Sequence, residues 1–209
     1  MNRAALLLFF AIAPSAVAQD GWISLFNGKD FTGWKVNENT GTFTVQDGAI
    51  VSHGQRAHCF YVGPVKDHDF KDFELKVDVM TKPGSNGGIF IHTAYQDTSW
   101  PNKGFEIQVN NTHTDRIKSG SLYHVVDIGT DVVSPIVRDD EWFTEHIMVK
   151  GKTVTIELNG KQVVKWTQPD DWNGTSDFVG RRIDHGTFAL QGHDPGSTVF
   201  YKNILVKPL

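Results

Sequence analysis

The chain carries 20 Lys and Arg against 24 Asp and Glu over 209 residues, a formal net charge of −4, with the cations scattered rather than clustered. That balance leaves no electrostatic footprint for a polyanion and excludes nucleic acid as an expected partner. Cys59 is the sole cysteine, so no intramolecular disulfide is available and the fold must rely on packing and backbone hydrogen bonds.

Met1-Asn2-Arg3, the apolar run from Ala4 to Ala13, and Ala16-Val17-Ala18 together have the pattern of a secretory signal peptide with an A-x-A cleavage site. Residues 1–18 are expected to be removed, and 19–209 to form a single domain of β-sandwich size, exported to a bacterial periplasm or beyond the cell. The apolar run is too short to span a bilayer, and nothing later approaches about 18 uninterrupted apolar residues, so no membrane span is expected in the mature chain.

Period-two alternation then recurs along the chain. Thr42–Gln46 and Ala49–Ser52 flank Asp47-Gly48, a type I′ turn signal. Phe73, Leu75, Val77 and Val79 alternate with Glu74, Lys76, Asp78 and Met80, as in a half-buried antiparallel strand. The run 104–110 places Phe105, Ile107 and Val109 on one face and Glu106, Gln108 and Asn110 on the other. Glu145–Val149 leads through Lys150-Gly151-Lys152 into Thr153–Leu158, and Asn159-Gly160 turns that strand into Lys161–Trp166. Phe188–His193 adds a second polar row, Gln191 and His193. No segment of ten or more residues beyond the leader shows a 3.6-residue period, so the expected class is all-β, a sandwich of antiparallel sheets. Two long loops, Thr93–Lys103 with Trp100-Pro101 and Thr167–Asp184 with Trp172 and Arg181-Arg182, adjoin the two polar rows, where a rigid scaffold commonly carries function.

Several ordered motifs carry a family resemblance: Trp22 through Trp34 (WISLFNGKDFTGW), Ser85 through His92 (SNGGIFIH), Gly104-Phe105-Glu106-Ile107-Gln108, Gly120-Ser121-Leu122-Tyr123, Leu158-Asn159-Gly160, Ala189 through His193, and Phe200 through Ile204. The series resembles the 3-keto-glucoside lyase/hydratase family, also called 3-keto-disaccharide hydrolases, over essentially the whole mature chain. The resemblance implies a concanavalin A-like jelly roll of two curved antiparallel sheets, acting on glycosides oxidised to a ketone at C3. The chain departs from the family pattern at His92, where Arg is expected, and at Phe200-Tyr201-Lys202-Asn203-Ile204. His92 is expected to alter the ligand-facing chemistry.

Ordinary glycosidases need two carboxyl groups about the scissile bond. Two residues beyond Glu106 stands Gln108, an amide that can hydrogen-bond a hydroxyl but cannot act as nucleophile or base. A C3 ketone acidifies the proton on C2, so a single base suffices for elimination of the C1 substituent. Glu106 is the expected base. His92 and His193 either polarise the ketone or join Glu106 around a divalent metal ion; Lys118 and Arg116 are further candidates for the C3 oxygen. No organic cofactor is implied. Asn86, Gln108, Asn110, Lys118, Tyr123 and Gln191 are the expected substrate-binding residues, with one of Trp100 and Trp172 stacking on a sugar ring. Against these stand plainer readings: His193 capping a turn, Tyr123 and His124 packed at a strand end, the Asn86 glycines a bulge. A noncatalytic, lectin-like carbohydrate-binding module is the alternative function, because one fold hosts both.

Overall fold

The computed structural model describes residues 19–175 and 178–209; the expected signal peptide, residues 1–18, lies outside the described residues. In chain order the strands are β1 (Ile23–Ser24), β2 (Trp34–Val36), β3 (Phe43–Gln46), β4 (Ala49–Ser52), β5 (Ala57–Tyr61), β6 (Phe73–Thr81) and β7 (Gly87–Thr93). After them come β8 (Phe105–Val109), a single helical turn α1 (Thr130–Val133), β9 (Phe143–Lys150), β10 (Thr153–Leu158), β11 (Lys161–Thr167), β12 (Thr187–Gly192) and β13 (Val199–Pro208). The turn chemistry is the expected one. Asp47-Gly48 and Asn159-Gly160 both hold positive φ at their two central positions (49° and 78°; 50° and 77°), which suits the right-handed twist of the strands they join. Gly151 takes φ of 58° between β9 and β10.

Two antiparallel sheets pack as a jelly roll. The larger has the order β11-β10-β9-β6-β13-β4-β3 with β1 beside β13, and the smaller β2-β5-β12-β7-β8. In β6 and β9 every second residue is buried, so the larger sheet has one core face and one wet face. Phe73, Leu75, Val77 and Val79 from β6 meet Phe105, Ile107 and Val109 from β8 in one apolar cluster. Each such side chain stabilises the fold by about 1.5–3 kcal/mol on burial. The smaller sheet differs: β5, β7, β8 and β12 are buried along their whole length. Its second face is therefore covered by loops rather than by a sheet, and that face carries the polar rows. No helix among the described residues is long and apolar enough to cross a membrane.

One acidic side chain interrupts the core. Glu145 on β9 lies between Val77 and Leu158 across the ladders, fully buried, and neither carboxyl oxygen has a hydrogen-bond partner. The nearby Gly120 amide already donates to the carbonyl of Gln108 at 2.9 Å. Burial pushes the Glu145 carboxyl up to about 8, so it is held largely protonated at neutral pH.

Candidate functional site

Alternation along β8 turns Glu106 and Gln108 away from the core while its apolar residues enter it. Across the sheet, Glu106 pairs with Phe90 on β7, Phe90 with Ala189 on β12, and Ala189 with Phe60 on β5. The carboxylate thus ends an otherwise apolar row. In the next row Gln108 faces Gly88, and the missing side chain there opens the floor: a Cβ on Gly88 would stand 2.9 Å from Glu106 Oε1. Gly87 is required for the opposite reason, since a Cβ there would press to 2.8 Å on the hydroxyl of core Tyr201. The glycine pair lets the backbone pass between core and floor.

Glu106 is buried and held from two sides. Gln191 Nε2 donates to Oε1 at 2.7 Å, and Arg181 Nη2 stands 3.6 Å from Oε2. Burial raises the carboxyl above the usual carboxylate range, with the Arg181 charge and the Gln191 hydrogen bond opposing. Arg181 is itself fixed, its Nη1 donating to the Tyr123 carbonyl at 2.6 Å and its guanidinium 4.0 Å from the Phe178 ring centroid. Gln108 Nε2 donates to Asn86 Oδ1 at 3.0 Å. The side-chain amide oxygens, Oε1, of Gln108 and Gln191 have no partner in the protein although buried, which suits them to accept from ligand hydroxyls.

Loops raise the walls of a cleft of about 170 Å³. Trp100 and Pro101 come from the β7–β8 loop, Tyr123 from the stretch after β8, Phe178 and Arg181 from the loop before β12, and His193 from just past β12. His193 Nδ1 lies 2.7 Å from Asp194 Oδ2. Burial works against the Asp194 charge, but hydrogen bonds from His193, Ser197 and Gly196 outweigh it and hold the carboxyl below its usual range. A carboxylate at that distance accepts from Nδ1–H, which leaves Nε2 as the ring nitrogen available to a ligand.

Residues 21–207 match the 3-keto-alpha-glucoside-1,2-lyase-like domain. The chain belongs to this family. It is also 27% identical to a 3-keto-disaccharide hydrolase of Bacteroides thetaiotaomicron, over 92% of this chain and 80% of that protein. Among solved structures, a candidate glycosyl hydrolase from Parabacteroides distasonis superposes with a TM-score of 0.75 at 25% identity, covering 90% of this chain and 94% of that one. A lichenase, a β-1,3-1,4-glucanase from a mouse hindgut metagenome, superposes at 0.55 with 11% identity, covering 90% and 98%, and shares the fold.

In this member of the 3-keto-alpha-glucoside-1,2-lyase-like family, the cleft brings together Glu106, Gln108, Asn86, Gln191, His193, Tyr123 and Trp100 from the residues expected on sequence grounds. His92 is not among them, which corrects its expected place. It takes φ of 53°, and between Thr93 and Phe90 β7 makes three steps against two on β12. This bulge breaks the alternation and turns the imidazole to the core, edge-on to Phe73 at 5.6 Å. There Nε2 donates to the Lys71 carbonyl at 2.8 Å and Nδ1 accepts from the Asp184 amide at 3.3 Å. Burial lowers its pKa, so the ring is neutral and structural. The His92–Glu106–His193 metal triad is accordingly not assembled, and no group of three or more His, Cys, Asp or Glu among the described residues is placed to hold a metal ion. The side chains present do not fit such a centre.

Asn110 and Lys118 are also displaced from the expected role. Asn110 Nδ2 donates to the carbonyls of Asp115 and Ile117, and its Oδ1 accepts from the His113 amide. Lys118 Nζ donates to the His113 carbonyl at 2.5 Å. Both tie down the loop after β8 instead of facing the cleft. Trp172 packs edge-on to Trp166 at 5.0 Å and donates to the Arg181 carbonyl at 2.6 Å; it supports Arg181, while Trp100 lines the cleft. Arg116 reaches Asp127 at the surface. The functional residue that sequence reasoning missed is Arg181. Its one signal was the position of Arg181-Arg182 in a long loop entering β12.

Proposed function

We propose that this chain is an exported carbohydrate-active enzyme that cleaves 3-keto-glucosides by removing the proton on C2. One observation carries the reading: among the described residues lining the cleft, Glu106 is the single carboxylate, and Gln108 occupies the alternate position on the same strand. Hydrolysis by paired carboxylates lacks its second partner, whereas a ketone at C3 needs one base. The 27% identity to a 3-keto-disaccharide hydrolase supports the same substrate class.

Glu106 takes the C2 proton, and the C–H electron pair moves into an enolate on the C3 oxygen. A carboxyl raised by burial is better matched to this work near neutral pH than an ordinary one. Arg181, against Glu106, supplies the fixed positive charge for the enolate. Collapse of the enolate expels the C1 oxygen, which takes a proton from His193 Nε2 or the Tyr123 hydroxyl, leaving a 2-hydroxy-3-keto-glucal. Water then adds at C1, giving its proton to the same His193 or Tyr123 group that protonated the departing oxygen, and Glu106 returns its proton to C2, so every group is reset and the sum is hydrolysis. Gln108 and Gln191 accept from sugar hydroxyls, and Trp100 offers a ring face.

The test is turnover of 3-keto-trehalose and 3-keto-cellobiose by the mature protein and by Glu106→Gln. The variant is expected to bind within a few-fold of wild type and to release no 3-keto-glucose. Full turnover by the variant would remove Glu106 as the base. Binding without turnover by the wild type would favour the lectin-like reading.

A further inference from the structure

His58 stands on β5 directly across from Gln191 on β12, so it shares the floor with the amide that holds Glu106. Its imidazole is fully buried and neither ring nitrogen has a hydrogen-bond partner. Phe90 and Trp100, both lining the cleft, meet it edge-on with centroids 5.4 Å away in each case. A neutral imidazole offers one donor and one acceptor, and leaving either unmade when buried is costly. The other buried histidine, His92, satisfies both of its nitrogens. Burial drives His58 down to about 3, with Glu38 opposing and Arg56 and His193 reinforcing. It therefore stays neutral, a donor and an acceptor side by side, matched to sugar hydroxyls.

The side chain that meets the ring from the solvent side is a partly exposed one. Trp100 is 40% exposed and is gripped through ring contacts with His58, His193 and the Arg56 guanidinium, the last at 5.5 Å. Its backbone is anchored separately: Gln96 Nε2 donates to the Trp100 carbonyl at 2.8 Å, and the Ser99 amide donates to Glu38 at 2.8 Å. Neither of these two bonds involves the indole.

We propose that Trp100 covers a second sugar subsite whose recognition group is His58, filled by the unit beyond the scissile bond. This rests on reading the cleft as a disaccharide site. The incoming unit displaces the indole, bonds both ring nitrogens and packs against the moved Trp100. Two such hydrogen bonds, at about 0.5–1.5 kcal/mol each, correspond to a roughly tenfold or greater change in affinity.

The experiment follows the imidazole resonances of the full mature protein by NMR during titration with trehalose, 3-keto-trehalose and 3-keto-glucose, beside calorimetry on His58→Phe. The Phe ring keeps the packing and removes the unpaired nitrogens, so the variant should melt no lower than wild type. It should lose about tenfold in disaccharide affinity while binding 3-keto-glucose within about threefold. In Trp100→Ala the uncovered His58 should titrate closer to the ordinary histidine range, whereas the wild-type ring, pushed down to about 3 by burial, should stay flat near neutral pH. A disaccharide that shifts His58 upholds the subsite even if it is never turned over, and turnover separately judges the proposed reaction. Sugars that shift His193 but leave His58 and the His58→Phe affinity unchanged overturn the subsite and spare the reaction. No shift with any sugar at millimolar concentration overturns the subsite, and the reaction still stands or falls on turnover alone.

Discussion

Glu145→Gln isolates the cost of a carboxyl set in the core without a partner. The folded state holds the proton up to about pH 8, whereas the unfolded chain releases it near an ordinary 4.5. Folded protein therefore binds more protons than unfolded throughout that window, and the Glu145 contribution to stability declines as pH rises through it, the reverse of the usual salt-bridged carboxylate. From 4.5 to pH 7 the interval is about 2.5 pH units at about 1.36 kcal/mol each, or about 3 kcal/mol. Glutamine is uncharged in both states and close in shape. The variant should match wild type near pH 4.5 and exceed it by about 3 kcal/mol at pH 7, seen as a rise of roughly 6–12 °C in Tm for a domain of this size. Thermal or urea melts of both proteins from pH 4.5 to 8.5 read this out. A stability gap that does not change across the range would refute the claim that Glu145 sits protonated and unpaired between Val77 and Leu158.

Three further outcomes follow from the geometry. Arg181→Met removes the charge opposing the burial shift of Glu106, so the Glu106 pKa climbs further. The acid limb of the kcat/KM profile on a 3-keto-disaccharide should move to higher pH, with a loss of about tenfold or more at pH 7; an unmoved limb would contradict the Arg181–Glu106 coupling. The two glycines should part company. Gly88→Ala places its Cβ 2.9 Å from Glu106 Oε1 and should cut activity in a protein that still folds, whereas Gly87→Ala at 2.8 Å from Tyr201 should lower stability by about 1–3 kcal/mol in denaturant melts. Equal effects on both measures would argue against their different faces. His92→Ala leaves the Lys71 carbonyl and Asp184 amide unpaired, costing about 1–3 kcal/mol, with the pH–rate profile unchanged; loss of turnover in a fully folded variant would return His92 to the site.

The alternation in 104–110 was enough to assign Phe105, Ile107 and Val109 to the core and Glu106 and Gln108 to the other face, because strand geometry is local and has a period of two. The Asp47-Gly48 and Asn159-Gly160 turns were legible for the same reason: positive φ is a property of two residues, whatever surrounds them. Tertiary structure decided the rest. His92 obeys the period in sequence and breaks it in space, since its bulge answers a register shift against β12 more than ninety positions away in the chain. Arg181 gains its role from the Glu106 carboxylate and the Phe178 ring, and Trp172 becomes a support by donating to the Arg181 carbonyl, whereas Asn110 is taken up by the folding of its own loop. Glu145 looks like one more strand residue until two sheets close over it. Backbone preference is written residue by residue, but the charge state of a carboxyl or the reach of an imidazole depends on which distant groups replace water around it, and that is fixed only when the sheets meet.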